Sequence, residues 1–196
     1  MFLIMTPKVK AIPDGYHSVT PYLTVRDAAK AIEFYKRAFG AQQRGVLPMP
    51  GGKIGHAEIM IGNSIIMLAD EFPEYGNQSP ESLKGSPVGL AIYVENVDEV
   101  FNRAVKEGAT VKEPVADKFW GDRAGSVTDP FGHKWTILTH MEDVSIEEMK
   151  KRMDANLAMA APEELMKNWM TFGGQATDQF MKLMTNAANA GLKGKP

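Results

Sequence analysis

The sequence predicts an α+β fold: two βαβββ modules forming a curved mixed sheet around a cleft, followed by a C-terminal helical extension. Thr20-Pro-Tyr-Leu-Thr-Val25 is answered 69 residues later by Gly89-Leu-Ala-Ile-Tyr-Val94. Each is followed by an amphipathic stretch and then by three strand-like segments. Apolar residues alternate along those segments, so that Leu23, Val25, Ile59, Ile61, Ile65, Met67, Leu90, Ile92, Val94, Trp135 and Ile137 are expected on the side that meets the helices. The stretch Ser126–His140 reads as strand, tight turn, strand. In Asp129-Pro130-Phe131-Gly132 the proline presets φ and the glycine tolerates the reversal. The strand after it interleaves Trp135, Ile137 and Leu138 with Thr136 and Thr139.

In chain order, residues 1–14 form an N-terminal arm, where Pro7 and Pro13-Asp14-Gly15 discourage regular structure. Ser18–Val25 is the first strand, with Pro21 marking an edge or a bulge. Asp27 caps a helix that ends near Phe39, with Gly40 as its stop signal. Ala41–Leu47 is a strand. Gly55–Ile61 and Ser64–Asp70 form a hairpin about Gly62-Asn63, and Glu71–Pro87 is a linker or loop. The second module repeats the order. Val88–Val94 is a strand, Asn96-Val-Asp-Glu99 is a capping box, and Gly108 stops the helix. Thr110–Val115, Trp120–Thr128 and His133–His140 are the remaining strands. The modules span 15–75 and 86–142. In the extension, 143–196, Ser145-Ile-Glu-Glu148 is a capping box for a helix with Ile146, Met149, Met153 and Leu157 at helical spacing. Pro162 opens a second helix with the stripe Leu165, Trp169, Phe172, Ala176, Phe180, Leu183 and Ala187. Such stripes need cover, from the domain or across a homodimer.

Bulk properties narrow the function classes. Of 196 residues, 44% are hydrophobic and 23% charged, enough for a core in a soluble globule. A formal net charge of −2 implies no broad basic face for nucleic acid. Without cysteine there is no disulfide framework or thiol chemistry. The apolar runs are too short for a membrane span, and Met1-Phe-Leu-Ile-Met5 is too short for a signal-peptide core, so a cytoplasmic location is expected.

His17-Ser-Val-Thr-Pro-Tyr-Leu-Thr-Val-Arg-Asp27, His56-Ala-Glu58, Ile66-Met-Leu-Ala-Asp-Glu71 and Asp129-Pro-Phe-Gly-His-Lys-Trp135 resemble the vicinal-oxygen-chelate superfamily, which holds glyoxalases, bleomycin-resistance proteins and extradiol dioxygenases, and within it the PhnB-like branch. In metal-dependent relatives four cleft-facing strand positions hold the cation. The resemblance maps these to Thr20, Ile66, Gly89 and Thr136, a set without the His, Glu or Asp that a divalent cation needs. It therefore implies no metal and no other cofactor, and a cleft that binds a small, partly aromatic molecule.

By parity the remaining polar and aromatic residues of the cleft face are Tyr22, His56, Glu58, Asp70, Tyr93, Trp120, Asp122 and His140, joined by Thr20, Gly89 and Thr136 as ligand-binding candidates. His56 and Glu58 are two residues apart on one strand and point the same way. A carboxylate beside an imidazole suits proton transfer, which makes them the catalytic candidates; a structural hydrogen-bonded pair is the competing reading. Trp120-Gly-Asp-Arg123 resembles a patch of the bleomycin-resistance-like relatives whose aromatic ring lines the ligand groove, with space-filling between modules as the alternative. His133, just after the turn, is expected to be exposed. Two further readings stand beside binding: a glyoxalase-type lyase/isomerase or dioxygenase-like enzyme using His56 and Glu58 with a displaced metal site, and an interaction protein acting through its C-terminal helices.

Overall fold

The computed structural model describes residues 9–159. The chain divides into two compact units. The first comprises the residues up to Ser86 together with 102–109 and 129–133, and the second comprises the rest. The first unit contains β1 (Tyr22–Val25), α1 (Ala28–Phe39), β2 (Gln42–Pro48), β3 (Ile54–Ile61) and β4 (Ser64–Asp70), followed by a 3-10 turn, Pro73–Tyr75, and a short helix α2 (Pro80–Leu83). Its four-stranded sheet has the order β1-β4-β3-β2, with β1 parallel to β4 and the other pairs antiparallel. The sheet of the second unit is formed by β5 (Gly89–Tyr93), β6 (Thr110–Asp117), β7 (Asp122–Thr128) and β8 (Lys134–His140), with α3 (Val97–Lys106) following β5. Its order is β5-β8-β7-β6, with β5 parallel to β8. The α+β class and the repeated βαβββ order are as the sequence predicts. Among the described residues no helix is long and apolar enough to cross a membrane.

The same device fixes each helix to its sheet. The first backbone N–H groups of a helix have no partner inside it. Asp27 accepts from the N–H of Lys30 at 3.0 Å, and Asn96, 69 residues on, accepts from that of Glu99 at 3.1 Å. One residue further in, the last strand supplies the acceptor. Asp70 Oδ1 accepts from Ala28 N at 2.9 Å, and Thr139 Oγ1 accepts from Val97 N, also at 2.9 Å. Asp70 has a second duty, since its Oδ2 accepts from Ile54 N at 2.6 Å. At the other end of α1, Gly40 adopts the left-handed conformation, φ 70°, and its N–H reaches back to Lys36 O.

The register of β4 corrects the expected faces. Ile61 pairs with Ser64 across Gly62-Asn63, and residues that close a two-residue hairpin share a face. Ile66, Leu68 and Asp70 therefore lie with Ile59, Ala57, Leu23 and Val25 on the helix side, where all are buried. Ile65 and Met67 fall on the opposite face, with Met60, Glu58 and Tyr22. Asp70 and Ile66 are thus not on the open face expected of them. In the second unit the expected parity holds: Trp135, Ile137 and Val127 are fully buried, and Gly125 lies under the ring of Phe101, where a Cβ would stand 2.8 Å from its nearest atom.

Other differences are local. β1 begins at Tyr22 rather than Ser18, because Pro21 has no N–H and Thr20 turns its hydroxyl to His17 O instead. Trp120 precedes β7, in a turn closed by Gly121 at φ 97°. His133 is buried, not exposed; its Nε2 lies 3.2 Å from Thr24 O. Residues 71–87 are tied down rather than a plain linker. The Glu71 carboxylate accepts from Ser79 N (3.0 Å), Ser79 Oγ (2.7 Å) and Ser82 Oγ (2.7 Å), and Arg26 pairs with its other oxygen. β2 and β6, each at an edge of its sheet, both carry register shifts, near Gly45 and Pro48 in one and around Pro114 in the other. In the extension α4 (Ile146–Met159) starts where Ser145 Oγ accepts from Glu148 N. The expected stripe from Leu165 to Ala187 lies outside the described residues.

Asp70→Ala leaves two buried N–H groups without an acceptor and should cost at least about 2 kcal/mol in urea unfolding, against about 1–3 kcal/mol for Thr139→Val. Glu71 is held down to about 2, first by the Ser82 hydroxyl and then by Ser79 N–H. Its folded value lies below the ordinary 4.5, so its contribution is complete above that pH and is lost as pH falls toward 2. Glu71→Gln should flatten this acid limb in melting temperature measured against pH.

Candidate functional site

The helix-distal face of the first sheet carries a chain of polar side chains. β1 presents Tyr22, and β3 presents His56 and Glu58 with the same orientation. Tyr22 Oη lies 3.1 Å from His56 Nδ1, and His56 Nε2 lies 3.4 Å from Glu58 Oε1. The rings of Tyr22 and His56 are tilted at 48° with centroids 5.7 Å apart. Tyr16 closes the chain by donating its hydroxyl to Glu58 Oε1. This bond, and then the one from His56, hold the Glu58 carboxyl below its usual range. Glu58 therefore stays an acceptor, a group that orients His56 rather than one that takes a proton itself. Beside this chain is a cavity of about 320 Å³ lined by Tyr22, Thr24, Gly55, Ala69, Asp70, Phe72 and Asn77. Lys53 Nζ sits 4.7 Å from the centre of the Phe72 ring and donates to Glu71 O at 2.8 Å.

On the corresponding face of the second sheet four expected residues meet at one carboxylate. Asp122 is 4% exposed, and its Oδ2 accepts from Trp120 Nε1 at 2.9 Å and from Tyr93 Oη at 3.1 Å. Its Oδ1 lies 2.8 Å from His140 Nδ1, and His140 Nε2 lies 3.1 Å from Asp143 Oδ1. The Asp122 bond, and then the Asp143 bond, raise the His140 imidazole above its ordinary range. Pairing explains the convergence: Asp122 stands directly opposite His140, and Tyr93 opposite Leu138, two residues along the same face. Thr136 shares this face and lies 3.3 Å from Ser126 Oγ through its own Oγ1. Gly89 opens β5 opposite Lys134. Arg123 points to the helix side, where it pairs with Asp98.

Residues 15–137 match the profile of the Glyoxalase/Bleomycin resistance protein/Dioxygenase superfamily, well over half of the chain. The chain belongs to that superfamily. Residues 135–195 also match a family of unknown function, DUF6489. Among relatives of this superfamily member, Uncharacterized protein Rv0887c of Mycobacterium tuberculosis is 42% identical over 141 residues, which are 70% of this chain and 83% of that one. The solved structure of the Arabidopsis thaliana gene product At5g48480 is 27% identical with a TM-score of 0.51, over 62% of this chain and 97% of that one. The PhnB protein from Bacillus cereus shares the fold at 17% identity and a TM-score of 0.50, over 63% of this chain and 99% of that one.

The superfamily's metal site does not fit the residues present here. Of the four positions assigned to it, Thr20 lies outside β1, Ile66 is buried on the helix side and Gly89 has no side chain. Met67 holds the open-face place opposite Tyr22 and Glu58. Among the described residues no three His, Cys, Asp or Glu side chains gather as an ion would require. Sequence reasoning missed Tyr16, Lys53, Phe72, Asn77 and Asp143. All lie in segments without periodicity, where alternation, the signal that found the others, is absent.

Asp122→Asn removes the buried anion from beside His140. In NMR titration the wild-type His140 should titrate above 6.5 and the variant should fall back toward that value; identical titrations would show that Asp122 does not govern this imidazole.

Proposed function

We propose that this superfamily member binds a small, partly aromatic molecule on the helix-distal face of its sheets, without a metal ion. The observation that carries this reading is the cavity of the first unit. Tyr22 and Phe72 supply ring surface, while Thr24 and Asn77 supply hydrogen-bonding groups. Its volume suits a small ligand, and aromatic walls with a few placed polar groups are the usual make-up of such sites. The donor chemistry favours binding over metal-assisted isomerisation or ring cleavage, because threonine hydroxyls, a thioether and a glycine are poor partners for a divalent cation.

A second reading, proton transfer of the glyoxalase type, is favoured by the Tyr22–His56–Glu58 chain. Geometry weighs against it. Both His56 nitrogens already have partners at 3.1 and 3.4 Å, so the ring must release one before it can take a substrate proton. The chain is better suited to hold a ligand hydroxyl or carbonyl at Tyr22 than to cycle protons.

Calorimetry with a panel of aromatic small molecules should find ligands whose affinity is unchanged by a chelator and falls about tenfold in Tyr22→Ala. Stoichiometric metal in the purified protein, lost in His56→Ala or Glu58→Ala, would overturn the metal-free reading, as would turnover of a hemithioacetal.

A further inference from the structure

We propose that the helix-distal face of the second sheet is a receptor for a carboxylate on an aromatic ligand, with His140 as the binding cation in the place Asp143 holds within the chain. The inference extends the binding reading above to the second unit and rests on different residues. Asp122 and Asp143 are carboxylates, which only accept. A ring with one of them at each nitrogen satisfies both contacts only as the doubly protonated imidazolium.

The two carboxylates are not equivalent. Asp122 is buried and pinned from three sides by Trp120, Tyr93 and His140, so it fixes the direction of the ring. Asp143 is wholly exposed, and its carboxylate bonds no other side chain among the described residues. Exposed ion pairs of this kind are weak and yield to a competitor that brings contacts of its own. A ligand carboxylate can take that place at His140 Nε2 with the local charge balance unchanged.

Tyr93 supplies those further contacts: its ring is 66% exposed although its hydroxyl is fixed on Asp122. The half-buried Trp120 is held at the same oxygen. Of the other charged groups nearby, Glu142 is taken by Arg152 of α4, which leaves Asp143 as the competing anion. The loop that carries it is anchored by its backbone, since Met141 N and Glu142 N both donate to Gly121 O. The ligand class is therefore a planar aromatic carboxylate.

The test uses the full chain, calorimetry, and 1-naphthoate beside neutral 1-naphthamide. Wild-type protein should prefer the acid. Asp143→Ala should tighten naphthoate binding by about two- to fivefold and leave naphthamide unchanged. His140→Gln, at an exposed position and checked by its melting curve, should cost naphthoate about tenfold and abolish the preference. In wild type the preference should fade as pH rises through the titration of His140. Equal binding of acid and amide, no binding of the acid, or an Asp143→Ala variant that binds no tighter would overturn the proposal. Naphthoate binding lost in Tyr22→Ala but kept in His140→Gln would also overturn it, while upholding the site in the first unit.

Discussion

Each module depends on an acceptor supplied by its last strand to the start of its helix. A helix that packs its first turn against a sheet hides N–H groups that have no partner within the helix, and leaving them bare costs more than a single hydrogen bond contributes. Asp70 meets this need in the first unit and Thr139 in the second, 69 residues apart, as are the N–H groups they serve. The bond fixes the height and direction of the helix on one face. The opposite face, with its tyrosines, histidines and carboxylates, is thereby left for other molecules.

Much of this was legible in the chain. The repeat, the caps at Asp27, Asn96 and Ser145, the stop at Gly40 and the hairpin at Gly62-Asn63 all rest on local chemistry, and the structure reproduces them. The grouping of Tyr93, Asp122 and His140 followed from alternation alone. Alternation failed at β4, where hydrophobicity was read without the pairing rule. Ile65 and Ile66 are adjacent and equally apolar, so only the closing pair Ile61–Ser64 decides which of them faces the helix. Residues 9–21 were beyond such reasoning. They form no helix or strand, yet Gly15 lies near the Ile65 side chain and Tyr16 reaches Glu58, which is why Ile65 is buried on the open side of its sheet.

The two open faces reach similar chemistry by different routes. Each has a carboxylate that receives a tyrosine hydroxyl and a histidine nitrogen: Glu58 with Tyr16 and His56, and Asp122 with Tyr93 and His140. These are not repeat-related positions, since the residue 69 beyond His56 is Gly125, beneath the ring of Phe101. The backbone plan is shared between the modules, whereas the polar groups were placed separately in each. Fold membership alone therefore says little about what either face holds.

The broken registers of β2 and β6 bear on how the molecule behaves at high concentration. A regular edge offers incoming strands a row of free N–H and C=O groups and is a route to fibrous growth. Here the irregularities near Gly45, Pro48 and Pro114 spoil that template at one border of each sheet. Copies meeting at those borders cannot zip backbone to backbone, and any assembly there has to be built from side chains.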